Sequence, residues 1–110
     1  MAAMMDQFRE TLLHLAATAS EQEAYLRTLG TAPSTDELAL EFSDAFGVVE
    51  EQLDENERRI STRLDRYLEG MSGSDHVQLW TIDALHSARE WACVRKLADE
   101  VLRVIGNGSK

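Results

Sequence analysis

The chain has 110 residues, with 20 acidic and 11 basic side chains and a formal net charge of -9. Its 44% of hydrophobic and 28% of charged residues are typical of soluble globular proteins and exclude a disordered or fibrous chain. The length suits one domain, and the acidic balance argues against direct binding to nucleic acid or an anionic membrane, which both attract lysine and arginine. One cysteine, no apolar run of membrane-helix length and no targeting signal predict a cytoplasmic protein.

Two stretches that mix glycine with proline or serine, residues 30–34 and 70–75, divide the chain into three segments. Each segment repeats apolar residues at intervals of three and four, the period of an amphipathic helix. The sequence therefore predicts an all-α fold of three long amphipathic helices in an up-down-up bundle, with dimerisation as one way of completing it. We expect the helices at about residues 4–29, 35–70 and 75–105, followed by a flexible tail at 106–110.

The first segment carries an apolar stripe that Gly30 is expected to end. The stripe consists of Phe8, Leu12, Leu15, Ala19, Leu26 and Leu29. The second segment opens with Ser34 three residues before Glu37, a capping-box pattern that makes Ser34 or Thr35 the expected N-cap. Its stripe consists of Leu38, Phe42, Phe46, Val49, Leu53, Asn56, Ile60, Leu64, Tyr67 and Met71. Whether this helix is continuous through Gly47 is left open.

Asn56 is a polar amide in this otherwise apolar stripe. In coiled coils such an amide fixes register and partner number, which would indicate self-association. An amide that reaches solvent where the bundle ends or bends fits the sequence equally well, and both interpretations stay open.

The third segment has a regular stripe that includes both tryptophans, Trp80 and Trp91, which we interpret as packing residues. A second apolar stripe lies about 100° away around the same helix, more than two neighbouring helices would cover. A two-fold homodimer or a protein partner is the simplest cover. The candidate self-association surface consists of Asn56, Leu79, Cys93, Leu97 and Val104.

Charge is unevenly distributed: residues 36–57 carry nine carboxylates and no lysine or arginine, and four arginines follow by residue 66. We predict an acidic face that binds a basic protein partner. The face consists of Glu37, Asp44, Glu50, Glu51, Asp54 and Glu55. The alternative is a solvated face, in which the first acids favour the helix N-terminus and later ones form Asp54–Arg58 and Glu55–Arg59 pairs.

Glu50, Glu51 and Asp54 also have a spacing with which helical carboxylates hold Mg²⁺. The set resembles half of the acidic motif of MazG-type all-α nucleotide pyrophosphohydrolases, and the resemblance implies Mg²⁺-dependent nucleotide hydrolysis. It covers five residues, and the second acidic pair of that family has no counterpart after Asp54.

Asp83, His86 and Glu90 form a second metal candidate, with a histidine between two carboxylates on one helical face. One such face is not a complete site, so the sequence predicts no metal and no cofactor. Cys93 lacks a histidine partner or helix N-terminus that would activate its thiol. Arg59, Arg63 and Arg66 share one side of the second helix, where they would bind an acidic group or pair with acids of their own chain.

The sequence thus favours a non-enzymatic, acidic helical interaction module of the inhibitor, immunity or adaptor type that acts on a basic protein. The alternatives are a self-assembling structural or regulatory homodimer and a Mg²⁺-dependent nucleotide hydrolase.

Overall fold

The computed structural model describes residues 2–30 and 34–108. These residues form six α-helices and no strand, so the all-α prediction is confirmed. The helices are α1 (Ala2–Ala16), α2 (Ala19–Thr28), α3 (Asp36–Val49), α4 (Glu55–Gly70), α5 (Ile82–Ser87) and α6 (Arg89–Gly108). A 3-10 turn, Glu50–Gln52, connects α3 to α4, and a 3-10 segment, Ser74–Leu79, connects α4 to α5. Residues 106–108 belong to α6 rather than to a tail, while residues 109–110, and 31–33 of the predicted break, lie outside the described residues.

Most of the core lies between α1, α3, α4 and α6: α1 packs against α3 and α6, and α6 also packs against α4. Leu26 of α2 and Leu85 of α5 are fully buried and complete it. Three phenylalanines join α1 to α3, with ring centroids 5.7–6.1 Å apart: Phe8, Phe42 and Phe46. Trp91 of α6 is fully buried. The predicted three-helix bundle is therefore replaced by a core built mainly by four helices, because each predicted helix is interrupted.

The first predicted helix ends at Ala16, and α2 begins after Thr18. Thr18 and Glu21 form a capping box, since each side chain bonds to the other residue's backbone N–H. The buried Gln22 donates from Nε2 to the carbonyls of His14 and Leu15, at 3.1 and 2.9 Å. These bonds satisfy carbonyls that the end of α1 leaves free.

The second predicted helix is interrupted at residues 50–54, not at Gly47. Thr35 is the N-cap of α3, as predicted, but it makes no side-chain cap bond. Asp54 and Glu57 form a second capping box, which starts α4. Arg58 donates to the carbonyls of Glu50 and Leu53 at 3.2 and 2.9 Å, so its guanidinium stabilises the turn.

The third predicted helix is divided into the 3-10 segment, α5 and α6. Thr81 caps α5 by accepting a bond from the N–H of Ala84, and the extended Ala88 separates α5 from α6. Both indoles stabilise this region: Trp80 donates to the carbonyl of Met71 at 2.8 Å, and Trp91 to that of Leu79 at 2.6 Å. No helix in the described part of the chain is long and apolar enough to span a membrane.

Candidate protein-binding surface

The outer face of α3 mixes acidic and apolar side chains. The opposite face of this helix is buried in the core, whereas Leu40 and Val48 are 54% and 57% exposed. Asp44 lies one turn from each of them, and Glu37 lies one turn before Leu40; both carboxylates are exposed. Leu40 lies opposite the core, whereas Val48 lies at its flank and lines a shallow depression with Met4 of α1.

All six residues of the predicted acidic face are exposed. They do not share one helical face: Glu37 and Asp44 lie on α3, Glu50 and Glu51 in the 3-10 turn, and the last two at the start of α4. The face is therefore a run that follows the chain from α3 to α4. We call these six residues the acidic run.

The expected ion pairs of the acidic run do not form. Arg58 bonds to the backbone of the turn, and Arg59 donates to Oδ1 of Asn56 at 2.8 Å. Within the described residues, no lysine, arginine or histidine lies within ion-pair distance of any residue of the run. Apart from Asp54, which caps α4, these carboxylates are left to solvent.

A groove of about 550 Å³ lies between α3 and the connection that follows α4. We call it the α3 groove. It is lined by Asp36, Ala39, Leu40, Ser72, Gly73, Val77 and Trp80. Trp80 is held both by its bond to Met71 and by edge-on contact with Trp91, with centroids 5.3 Å apart. Val77 is 66% exposed.

The sequence-predicted Mg²⁺ set is not brought together on one helical surface. Glu50 and Glu51 lie in the 3-10 turn, and Asp54 uses its carboxylate to cap α4. The predicted spacing requires one continuous helix through residues 50–54, so the helical geometry expected for this set is wrong.

The Asp83, His86 and Glu90 set is also divided, because α5 ends at Ser87 and Glu90 belongs to α6. Nε2 of His86 instead lies 2.8 Å from the Glu23 carboxylate on α2. In residues 2–30 and 34–108, no three histidine, cysteine, aspartate or glutamate side chains are grouped so that they could hold a metal ion.

The candidate self-association surface is mostly covered within the chain. Leu79 is buried, and Cys93, Leu97 and Val104 are half-buried. Asn56 is exposed in the first turn of α4, which supports the interpretation that the amide reaches solvent. Arg59, Arg63 and Arg66 are likewise exposed on α4.

A polar cluster that the sequence did not predict joins α1, α2 and α3. The Glu41 carboxylate accepts a hydrogen bond from the Tyr25 hydroxyl and lies 3.4 Å from Nδ1 of His14. The His14 and Tyr25 rings stack with centroids 3.7 Å apart. Burial, the bond to Glu41 and nearby carboxylates raise the pKa of Tyr25 to about 12. The three residues are too far apart in the sequence for helical spacing to indicate their contact.

No family model, curated protein or solved structure matches this chain.

Proposed function

We propose that this protein is a non-enzymatic interaction module that binds a basic segment of another protein through the acidic run and the outer face of α3. The observation that carries the proposal is the combination of unpaired carboxylates with exposed Leu40 and Val48 on one helix. A solvated acidic helix would need no aliphatic residues on its outer face.

Each part of this surface has a separate role in the proposal. The carboxylates attract a basic partner, accelerate encounter and repel acidic surfaces. Leu40 and Val48 supply apolar area that leaves water on binding. A heterologous partner is preferred to a homodimer, because α1 and α4 pack against α6 and the predicted dimer residues on it are half-buried.

Affinity capture from the native host tests this proposal with a variant that neutralises four acids of the run. The variant carries Glu37→Gln, Asp44→Asn, Glu50→Gln and Glu51→Gln. We expect the wild type to retain a basic protein at low salt, and the variant or high salt to release it, because exposed charge pairs are screened. The purified partner should then bind the purified wild type directly.

A matched control removes four negative charges elsewhere on the molecule, through Asp83→Asn, Glu90→Gln, Asp99→Asn and Glu100→Gln. This control should retain the partner. Equal loss of binding in both variants would show that binding depends on net charge and not on the acidic run. Retention of the partner by the variant of the acidic run would contradict the proposal.

A further inference from the structure

We propose that the α3 groove receives one arginine side chain of the basic partner, with the aliphatic stem between Leu40 and Val77 and the guanidinium against Trp80 and Asp36. This inference rests on the proposed function and identifies the partner residue that the groove recognises.

The lining of the groove has the chemistry of a long side chain with a positive end. Ala39, Leu40 and Val77 provide aliphatic walls, and Asp36 is the charged group of the lining. An arginine or lysine side chain buries an apolar stem while its charged end finds a polar partner. A purely aliphatic side chain would make no favourable charge interaction with the exposed Asp36 carboxylate.

Trp80 favours arginine over lysine. Its indole is fixed by the bond to Met71 and the contact with Trp91, so the ring is already ordered before a ligand arrives. A guanidinium stacks on an aromatic face and forms planar bonds to a carboxylate, whereas the ammonium group of lysine is a compact, strongly hydrated point charge.

The charges of the two stretches that line the groove disfavour an acidic occupant. The two stretches that line it lie within residues 28–57 and 67–88, and neither stretch contains a lysine or arginine. Asp75, two residues before Val77 in the 3-10 segment, is also exposed and adds a negative charge to this segment. A cationic side chain is therefore attracted and an anionic one repelled.

The two tryptophans allow a direct test by NMR, because each gives one indole N–H resonance. The probes are an oligo-arginine peptide, an oligo-lysine peptide of equal length and an oligo-citrulline peptide that has the same shape without charge. We expect oligo-arginine to shift the Trp80 resonance and not that of buried Trp91, with affinity about threefold above oligo-lysine. Oligo-citrulline should leave both resonances unchanged.

Three exposed positions supply the variants. Asp36→Asn and Val77→Ser should each weaken oligo-arginine binding about threefold, since exposed ion pairs and small apolar contacts contribute at this level. Leu13→Ser changes an exposed residue of α1, outside both the groove and the outer face of α3, and should leave the Trp80 shift unchanged.

Several results would overturn the inference. Oligo-citrulline binding equal to oligo-arginine would indicate an apolar site, and a Trp80 shift that depends on protein concentration alone would indicate a second copy of this chain. An unmoved Trp80 resonance would also overturn it. If the acidic-run variant still loses the captured partner in that case, the groove inference alone fails and the proposed function stands.

Discussion

Glu41 is the residue at which three helices meet. Its carboxylate accepts a hydrogen bond from the Tyr25 hydroxyl of α2 and lies beside the His14 ring of α1. It is the one acid among residues 36–49 whose carboxylate lies within ion-pair distance of a basic side chain of the described residues, the imidazole of His14. The remaining acids of α3 are exposed, so the same helix uses one carboxylate for its own structure and leaves the others to solvent.

The two tyrosines give a residue-scale prediction about alkaline stability. Burial raises the pKa of both Tyr25 and Tyr67 to about 12; the second cause is the hydrogen bond to Glu41 for Tyr25 and the neighbouring Cys93 side chain for Tyr67. The unfolded chain loses the same protons near pH 10, the ordinary value. Stability contributed by the neutral phenols is therefore complete below pH 10 and is lost as the pH rises through 12.

Phenolate absorbance measures the ionisation of both tyrosines directly, because Tyr25 and Tyr67 are the two tyrosines of the sequence. We expect both to ionise near pH 12 in the folded protein and near pH 10 in urea. Native ionisation near pH 10 would show that the two hydroxyls are solvated, contrary to the structure.

The helix interruptions show how far local sequence determined the elements. The apolar stripes predicted helical structure correctly, since Phe8, Leu12 and Leu15 are buried at the expected period. Continuity was wrongly predicted because the stripe continues across each interruption. Two capping boxes, Thr18 with Glu21 and Asp54 with Glu57, were present in the sequence as local signals for the new helix starts.

Other causes of the interruptions are not local and could not be predicted from spacing. Gln22 connects the end of α1 to Arg95, whose guanidinium donates to Oε1 of Gln22 at 3.0 Å and to the Leu85 carbonyl at 3.2 Å. Burial lowers the pKa of Arg95, which has no carboxylate partner among the described residues. A neutral amide thus joins α1, α2 and α6 at a turn that the sequence presents as helical.

Gln22→Met tests this connection at the scale of the elements. Methionine keeps the length and apolar character of the stem, but it leaves two α1 carbonyls without their donor and removes one of the two acceptors of the Arg95 guanidinium. We expect a loss of about 3 kcal/mol in the free energy of unfolding, measured by urea denaturation. Gln52→Met, at an exposed position, should change it by less than about 0.5 kcal/mol. Equal effects would show that the amide bonds contribute nothing specific.

At the scale of the whole molecule, the acidic run could be predicted from the distribution of charged residues along the sequence, whereas the α3 groove could not. The run needs only a stretch of sequence without lysine or arginine. The groove requires Val77 and Trp80 to lie beside Leu40, which depends on tertiary packing across almost 40 residues of chain. Trp80, interpreted from the sequence as a packing residue, does pack against the core, but it is only half-buried and also lines the groove.

The acidic run should also reduce the stability of the fold, because its carboxylates are unpaired and two of them follow a helix C-terminus. Glu50 and Glu51 follow directly after α3, where the negative end of the helix dipole disfavours further negative charge. Burial first, and then the charges of Glu69 and Glu50, raise the pKa of Asp65, so this carboxylate is also disfavoured in its charged form.

Neutralising these two acids, by Glu50→Gln with Glu51→Gln, should therefore stabilise the chain by about 1 kcal/mol at low salt. The gain should shrink as salt screens the wild-type charges. The control, Asp83→Asn with Glu90→Gln, removes equal charge from the first turns of α5 and α6, where carboxylates favour the helix N-terminus. It should not stabilise. Equal stabilisation by both pairs would assign the effect to the net charge of -9 and not to the position of the acidic run.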